Sequence, residues 1–140
     1  MIFLRSLLFM VWFVIVTIIM SILFLPLLAA PRKWCVWMAR AWAGATLWGL
    51  KIFAGTGMNV IGTAPQGAVL VASKHMSMWD TLALYLLLDD PGIVLKRELL
   101  RIPFYGWYVW KSCAIAIDRG AGAEALRRMA RDATRVFEEG

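Results

Sequence analysis

Histidine and cysteine are scarce in this chain of 140 residues. It has a single histidine, His75, and two cysteines, Cys35 and Cys113. A structural zinc site usually takes four cysteine or histidine ligands, and the two cysteines are far apart, so the sequence predicts no metal site. Unpaired cysteine is among the most buried residue types, and we interpret both cysteines as packing residues.

No charged residue occurs from Ser6 to Pro31, and most residues of this stretch are apolar. About 20 apolar residues suffice for a helix to cross a bilayer core. A cleaved signal peptide is the alternative, since Ala29-Ala30 resembles a cleavage site, but its apolar region is usually shorter. The stretch therefore predicts a retained membrane anchor, which Pro26 kinks or ends.

The formal net charge is +6, which could indicate a nucleic-acid partner, but the placement of the charges argues against one. Only Arg5 precedes the uncharged stretch, whereas Arg32, Lys33, Arg40 and Lys51 follow it. The positive-inside rule then places the C-terminal side in the cytoplasm. A basic stretch next to the membrane also favours contact with anionic lipids.

The segment from Trp34 to Phe53 predicts a second helix of a different kind. Lys33, Arg40 and Lys51 fall on one helical face, and tryptophans occupy the others. This pattern favours a helix at the membrane interface. A second spanning helix and a packed core helix are the alternatives.

The rest of the chain alternates short apolar runs with helical patterns, which predicts an α/β fold. The predicted strands are residues 58–61, 68–72, 93–95 and 114–117, and the predicted helices are residues 79–88, a short helix near Pro103, and 123–137. We therefore expect a membrane-anchoring helical region at residues 1–56 and an α/β domain at residues 57–140. The sheet is small for a doubly covered fold, so we expect the sequence to be truncated.

His75 and Asp80 are the first candidates for chemistry. Histidine ordinarily exchanges its proton near neutral pH, and His75 lies between a predicted strand and a predicted helix. The two side chains can meet if His75 is in the turn before the helix and Asp80 is in its first turn. Asp80 would then fix the tautomer of His75 and leave the other ring nitrogen free as a base. An ordinary histidine and a plain helix N-cap are the alternatives.

Three segments then resemble the motifs of the glycerol-phosphate and lysophosphatidate acyltransferases. Residues 72–80 read Ala-Ser-Lys-His-Met-Ser-Met-Trp-Asp, with the family's histidine followed by aspartate after four residues. Residues 96–106 resemble its block Lys-x-Glu-Leu-x-x-Ile-Pro-x-x-Gly, and residues 117–119 resemble the end of its block Gly-x-Ile-Phe-Ile-Asp-Arg. All three occur in the family's order and spacing.

There are also departures from the family's pattern. Lys74 replaces the usual asparagine, and Cys113 and Ala116 replace the usual glycine and phenylalanine. The block Phe-Pro-Glu-Gly-Thr-Arg, which helps to bind the substrate phosphate, is missing. Residues 137–140, Phe-Glu-Glu-Gly, imitate it, but we interpret them as a helix end with Gly140 as its cap. We therefore expect the 140-residue chain to have little or no activity.

The resemblance implies transfer of a fatty acyl group from acyl-CoA or acyl-carrier protein to the free hydroxyl of 1-acyl-glycerol-3-phosphate, giving phosphatidate. It implies that His75 is the general base, that Asp80 orients it, and that Lys96 and Arg119 neutralise the acceptor phosphate. Glu98, Pro103 and Gly106 would shape the site. It also implies no cofactor, no metal and no nucleic acid, and a place at the cytoplasmic face of the bacterial inner membrane among its lipids. The alternatives are an acyltransferase for another lyso-lipid, such as lyso-ornithine lipid, and an inactive membrane-protein fragment.

Overall fold

The computed structural model describes residues 2–67, 69–112 and 114–139, and it describes the backbone alone for Arg119 and residues 137–139. Within these residues there are five α-helices and one two-stranded sheet. The elements are α1 (Ile2–Leu23), α2 (Arg32–Ala54), α3 (Met78–Leu87), β1 (Val94–Lys96), α4 (Tyr105–Lys111), β2 (Ile115–Ile117) and α5 (Gly122–Glu139).

Helices α1 and α2 form an antiparallel hairpin. Helix α1 ends at Leu23, and Pro26 lies in a 3₁₀ turn that follows it (Leu25–Leu28), as the sequence predicted. The indole of Trp12 donates a hydrogen bond to the carbonyl of Ala45, and that of Trp42 donates one to Thr17 Oγ1, both at 3.0 Å. By length and composition α1 is able to cross a membrane.

Close contact within the hairpin depends on Gly49. A Cβ atom at that position would lie 2.1 Å from the ring of Trp12, so any side chain there would push the two helices apart. Gly55 then ends α2 with a φ of 74°, which glycine adopts without strain.

The same helix α2 also supports α3, so it is partly a packed core helix. Ala43, Leu82 and Tyr85 form a buried cluster between α2 and α3, against which Trp42 and Ile93 pack. Arg40 donates hydrogen bonds to the carbonyls of Leu86 and Leu88 at the end of α3, while Arg32 forms an ion pair with Asp90. Trp34, Trp37 and Trp48 on the other faces are exposed, as the interfacial interpretation requires.

The sheet is smaller than the sequence predicted. Strands β1 and β2 are parallel, with Val94 opposite Ile115 and Lys96 opposite Ile117, and α4 connects them, which gives a β–α–β unit and confirms the α/β class. The strand predicted at residues 68–72 is wrong over its described part, because residues 69–72 are irregular. The strand predicted at residues 58–61 is also irregular.

Helix α5 coincides with the helix predicted at residues 123–137. Glu124 and Arg128 form an ion pair at 3.2 Å. Ala125 is buried, whereas Leu126 is 61% exposed. Cys35 is buried, as predicted, and Cys113 and Gly140 lie outside the described residues.

Candidate active site

The turn before α3 is built by a capping box. Ser77 is the N-cap, and its hydroxyl accepts a hydrogen bond from the backbone of Trp79 at 3.2 Å. Asp80 reaches back and accepts from the backbone of Ser77 at 2.8 Å and of Met76 at 2.5 Å. These bonds satisfy N–H groups that a helix start leaves unpaired, so the sequence Ser77-Met-Trp-Asp80 itself fixes this turn.

His75 lies two residues before the N-cap and faces the same carboxylate. Its Nδ1 atom is 3.7 Å from Asp80 Oδ2, which is an electrostatic contact but too long for a hydrogen bond. The His75 side chain is 64% exposed and that of Asp80 is 19% exposed. The nitrogen nearest the carboxylate is Nδ1, and Nε2 is the opposite nitrogen of this exposed ring.

The same bonds keep Asp80 ionised. Hydrogen bonds from the backbone of Ser77 and then of Met76 lower the pKa of the Asp80 carboxyl, and the positive charge of a protonated His75 lowers it further, while partial burial opposes them. The Asp80 carboxylate is thus a fixed negative charge 3.7 Å from Nδ1 of His75.

A second group of charged residues lies where the strands end. Because β1 and β2 are parallel, the residues that follow Lys96 and Ile117 share one edge of the sheet, and ligands of open α/β sheets bind at such edges. Lys96 forms an ion pair with Glu98 at 3.4 Å. That pairing contributes to the lowered pKa of Glu98, after the larger effect of its own backbone N–H.

Arg97 and Asp118 connect the two strand ends, with Arg97 Nη1 3.7 Å from Asp118 Oδ2. Asp118 also accepts a hydrogen bond from the backbone of Gly120 at 3.0 Å and so caps a 3₁₀ turn (Arg119–Ala121). The side chain of Arg119 lies outside the described part of the chain. Arg97 was not among the site residues predicted from the sequence, although it directly follows β1, the kind of position at which α/β sheets bind ligands.

Gly106 shapes the segment between β1 and α4. A Cβ atom there would lie 2.0 Å from the carbonyl oxygen of Leu100, so only glycine allows α4 to begin so close to the preceding 3₁₀ turn (Arg97–Arg101). The absence of a side chain at Gly106 thus lets the segment from Lys96 to Gly106 turn back closely on itself.

The structure places the predicted site residues in two groups. His75 and Asp80 are together, while the ion-pair partner of Lys96 among the described residues is Glu98. Helix α3 packs beside Ile93, the residue before β1, and the two groups lie on different elements, His75 before α3 and Lys96 at the end of β1. The described residues contain no cluster of three or more metal-ligating side chains.

This chain belongs to the acyltransferase family, because the family's model matches residues 57–140. It is 34% identical over 101 residues to a protein of Pseudomonas aeruginosa named 1-acyl-sn-glycerol-3-phosphate acyltransferase. That match covers 71% of this chain but 39% of the relative, so the chain spans well under half of the relative's length. No solved structure matches the chain.

Proposed function

We propose that this protein transfers a fatty acyl group from acyl-CoA or acyl-carrier protein to the free hydroxyl of 1-acyl-glycerol-3-phosphate and so produces phosphatidate. Membership of the acyltransferase family and the similarity to the Pseudomonas aeruginosa protein support this reaction. The arrangement of His75 and Asp80 in the capping turn is the observation that carries it.

The reaction uses His75 as the general base. Its Nε2 atom accepts the proton of the acceptor hydroxyl while the hydroxyl oxygen attacks the thioester carbonyl carbon. The carbon–sulfur bond then breaks, the thiol leaves with a proton returned by the imidazolium, and a new ester remains. The carboxylate of Asp80 holds Nδ1 protonated and stabilises the imidazolium between these two steps.

The phosphate of the acceptor binds at the edge of the sheet in this proposal. Lys96 ends β1 and Arg119 follows β2, so the backbone brings both residues to one edge. Two cations there neutralise a phosphate, and an arginine offers two parallel donors to its oxygens. The pairing of Lys96 with Glu98 is exposed, so its exchange for a phosphate costs little.

The membrane supplies the acceptor in this proposal. The apolar surface of α1 suits a lipid environment. We assign the catalytic part to the cytoplasmic face of a bacterial inner membrane, because α2, which packs against α3 of that part, carries four basic residues and α1 carries one.

An acyl-transfer assay with two acceptors tests the proposal. Membranes containing a full-length form of the enzyme, which includes the family's phosphate-binding block, are given a labelled acyl-CoA or acyl-carrier protein together with lysophosphatidate or lyso-ornithine lipid. We expect labelled phosphatidate, and we expect Lys96→Ala to raise the KM for lysophosphatidate more than that for the donor. Labelling of the ornithine lipid alone would show that lyso-ornithine lipid, and not lysophosphatidate, is the acceptor. Absence of transfer to either lipid would refute the proposed reaction.

A further inference from the structure

Helix α4 lies against the hairpin through one of its faces. The hydroxyl of Tyr108 donates a hydrogen bond to the carbonyl of Ser21 in α1 at 2.9 Å. The ammonium group of Lys111 donates one to the carbonyl of Leu28, in the turn after α1. Tyr108 and Val109 are buried by this contact, so the opposite face of α4 points outward.

That outward face carries three aromatic side chains, which we call the aromatic stripe: Phe104, Trp107 and Trp110. They recur every third residue, which places them on one side of a helix. The rings of Phe104 and Trp107 are 5.2 Å apart. Trp107 is 51% exposed and Trp110 is 74% exposed. A contiguous group of exposed aromatic residues usually marks a binding surface.

The aromatic stripe is continuous with the surface of the hairpin. Leu28, Trp107 and Trp110 line one cleft of about 340 Å³, and Lys111 forms part of its wall. Ile22 and Leu23, which end α1 a few residues before Leu28, are also exposed. The aromatic stripe therefore adjoins, through Leu28, the turn that directly follows a helix long enough to cross a bilayer.

We propose that the aromatic stripe is a second membrane contact of this protein, with Trp107 and Trp110 at the level of the lipid headgroups. Tryptophan prefers this level because its ring is apolar and its N–H is polar. Lys111 lies beside these two tryptophans. Tryptophans next to a lysine whose apolar stem runs along the surface are typical of a site at the membrane interface. The continuity with α1 selects a bilayer over a protein partner. The contact does not depend on acyl transfer.

Depth measurements on single tryptophans test this contact in the full chain. The protein is labelled with 5-fluorotryptophan and placed in nanodiscs of phosphatidylcholine and phosphatidylglycerol, and Trp107→Phe and Trp110→Phe assign the two fluorine signals. We expect a nitroxide carried on a lipid chain near the headgroup to remove most of the intensity of both signals. A water-soluble gadolinium chelate should broaden them little.

The matched control is Leu126→Trp. Leu126 is similarly exposed but lies on α5, which packs on β2, so its signal should respond to gadolinium and not to the lipid nitroxide. If Trp107 and Trp110 behave like this control, they face water and the proposal is wrong. If neither agent affects them, protein covers the stripe, as in a dimer, and the proposal is equally wrong.

Discussion

The Nδ1 atom of His75 lies 3.7 Å from the Oδ2 atom of Asp80, across the turn that begins α3. The same carboxylate oxygen accepts two backbone hydrogen bonds, so a local capping motif holds the charge that the imidazole would need. The Oδ2 atom of Asp80 thus belongs both to the capping box of α3 and to the proposed catalytic pair with His75. Loss of Asp80 should consequently affect both the turn and the chemistry.

Removal of the base should abolish most acyl transfer. Since general acid–base catalysis commonly contributes about 10²–10⁴-fold, His75→Ala in a full-length form of the enzyme should lower kcat by roughly that factor. Asp80→Asn should lower it less, because an amide keeps the geometry but not the charge. Rates are measured with labelled acyl-CoA. Asp132→Asn, at an exposed carboxylate on α5, should leave them unchanged. Normal turnover by His75→Ala would eliminate it as the base.

The capping turn should also make stability depend on pH. The folded protein holds the pKa of Asp80 below its ordinary value of 3.8, so this carboxylate stabilises the fold above that pH. The stabilisation is lost as pH falls through the lowered folded pKa. The melting temperature of the wild type should exceed that of Asp80→Asn at neutral pH, and the difference should shrink below pH 3.8. A constant difference throughout would contradict the assignment.

Gly106→Ala should destabilise the protein strongly. The added methyl group would lie 2.0 Å from the carbonyl oxygen of Leu100, and relieving such a clash costs about 1–3 kcal/mol or more. Thermal unfolding in detergent micelles measures the effect. The control is Gly57→Ala, where a Cβ atom meets nothing within 4 Å. Equal melting temperatures for the two variants would show that α4 begins differently.

Thr46→Val should stabilise the protein. Thr46 is fully buried on α2, and its hydroxyl has no hydrogen-bond partner among the residues that the structure describes. An unpaired buried hydroxyl costs about 1–3 kcal/mol, so removing it should raise the melting temperature. Thr17→Val should lower it, because it leaves the indole N–H of Trp42 without an acceptor. The same sign for both variants would disprove the argument.

Helix α1 should keep the protein on membranes in high salt. Its exposed side chains from Leu7 to Leu23 are all apolar, and salt screens charges without weakening hydrophobic contact. Sedimentation of membranes washed with concentrated sodium chloride measures retention. Two α1 substitutions, Val11→Lys and Ile15→Lys, alter its exposed side and should release part of the protein. Release of the wild type by salt alone would indicate a purely electrostatic attachment.

The helices were predictable because their signals are local. An uncharged stretch, a capping sequence at Ser77 and an amphipathic pattern after Gly122 each indicate a helix without reference to the rest of the chain. The pairing of His75 with Asp80 followed from the same local geometry. Their catalytic roles, and the phosphate-binding roles of Lys96 and Arg119, stay predictions.

The strands were less predictable because a strand requires a partner. The apolar run around Leu70 resembles a buried strand, yet Leu70 is 86% exposed and residues 69–72 are irregular. Ile115 is different, because its backbone N–H pairs with the carbonyl of Ile93 across the sheet. A short apolar sequence does not reveal whether such a neighbour exists. The ion pair of Arg97 with Asp118 depends on the same tertiary pairing.

One contact of the α1–α2 hairpin, at the end opposite to Pro26, determines how the chain is oriented relative to the membrane. The guanidinium of Arg5 donates a hydrogen bond to the carbonyl of Phe53 at 2.7 Å, so the beginning of α1 adjoins the end of α2. Whether the pair crosses the bilayer and returns or lies within one leaflet, both termini of the hairpin open on the same compartment. A reporter fused ahead of α1 should thus share its compartment with a label attached at Gly57, and a protease confined to the opposite side should reach neither.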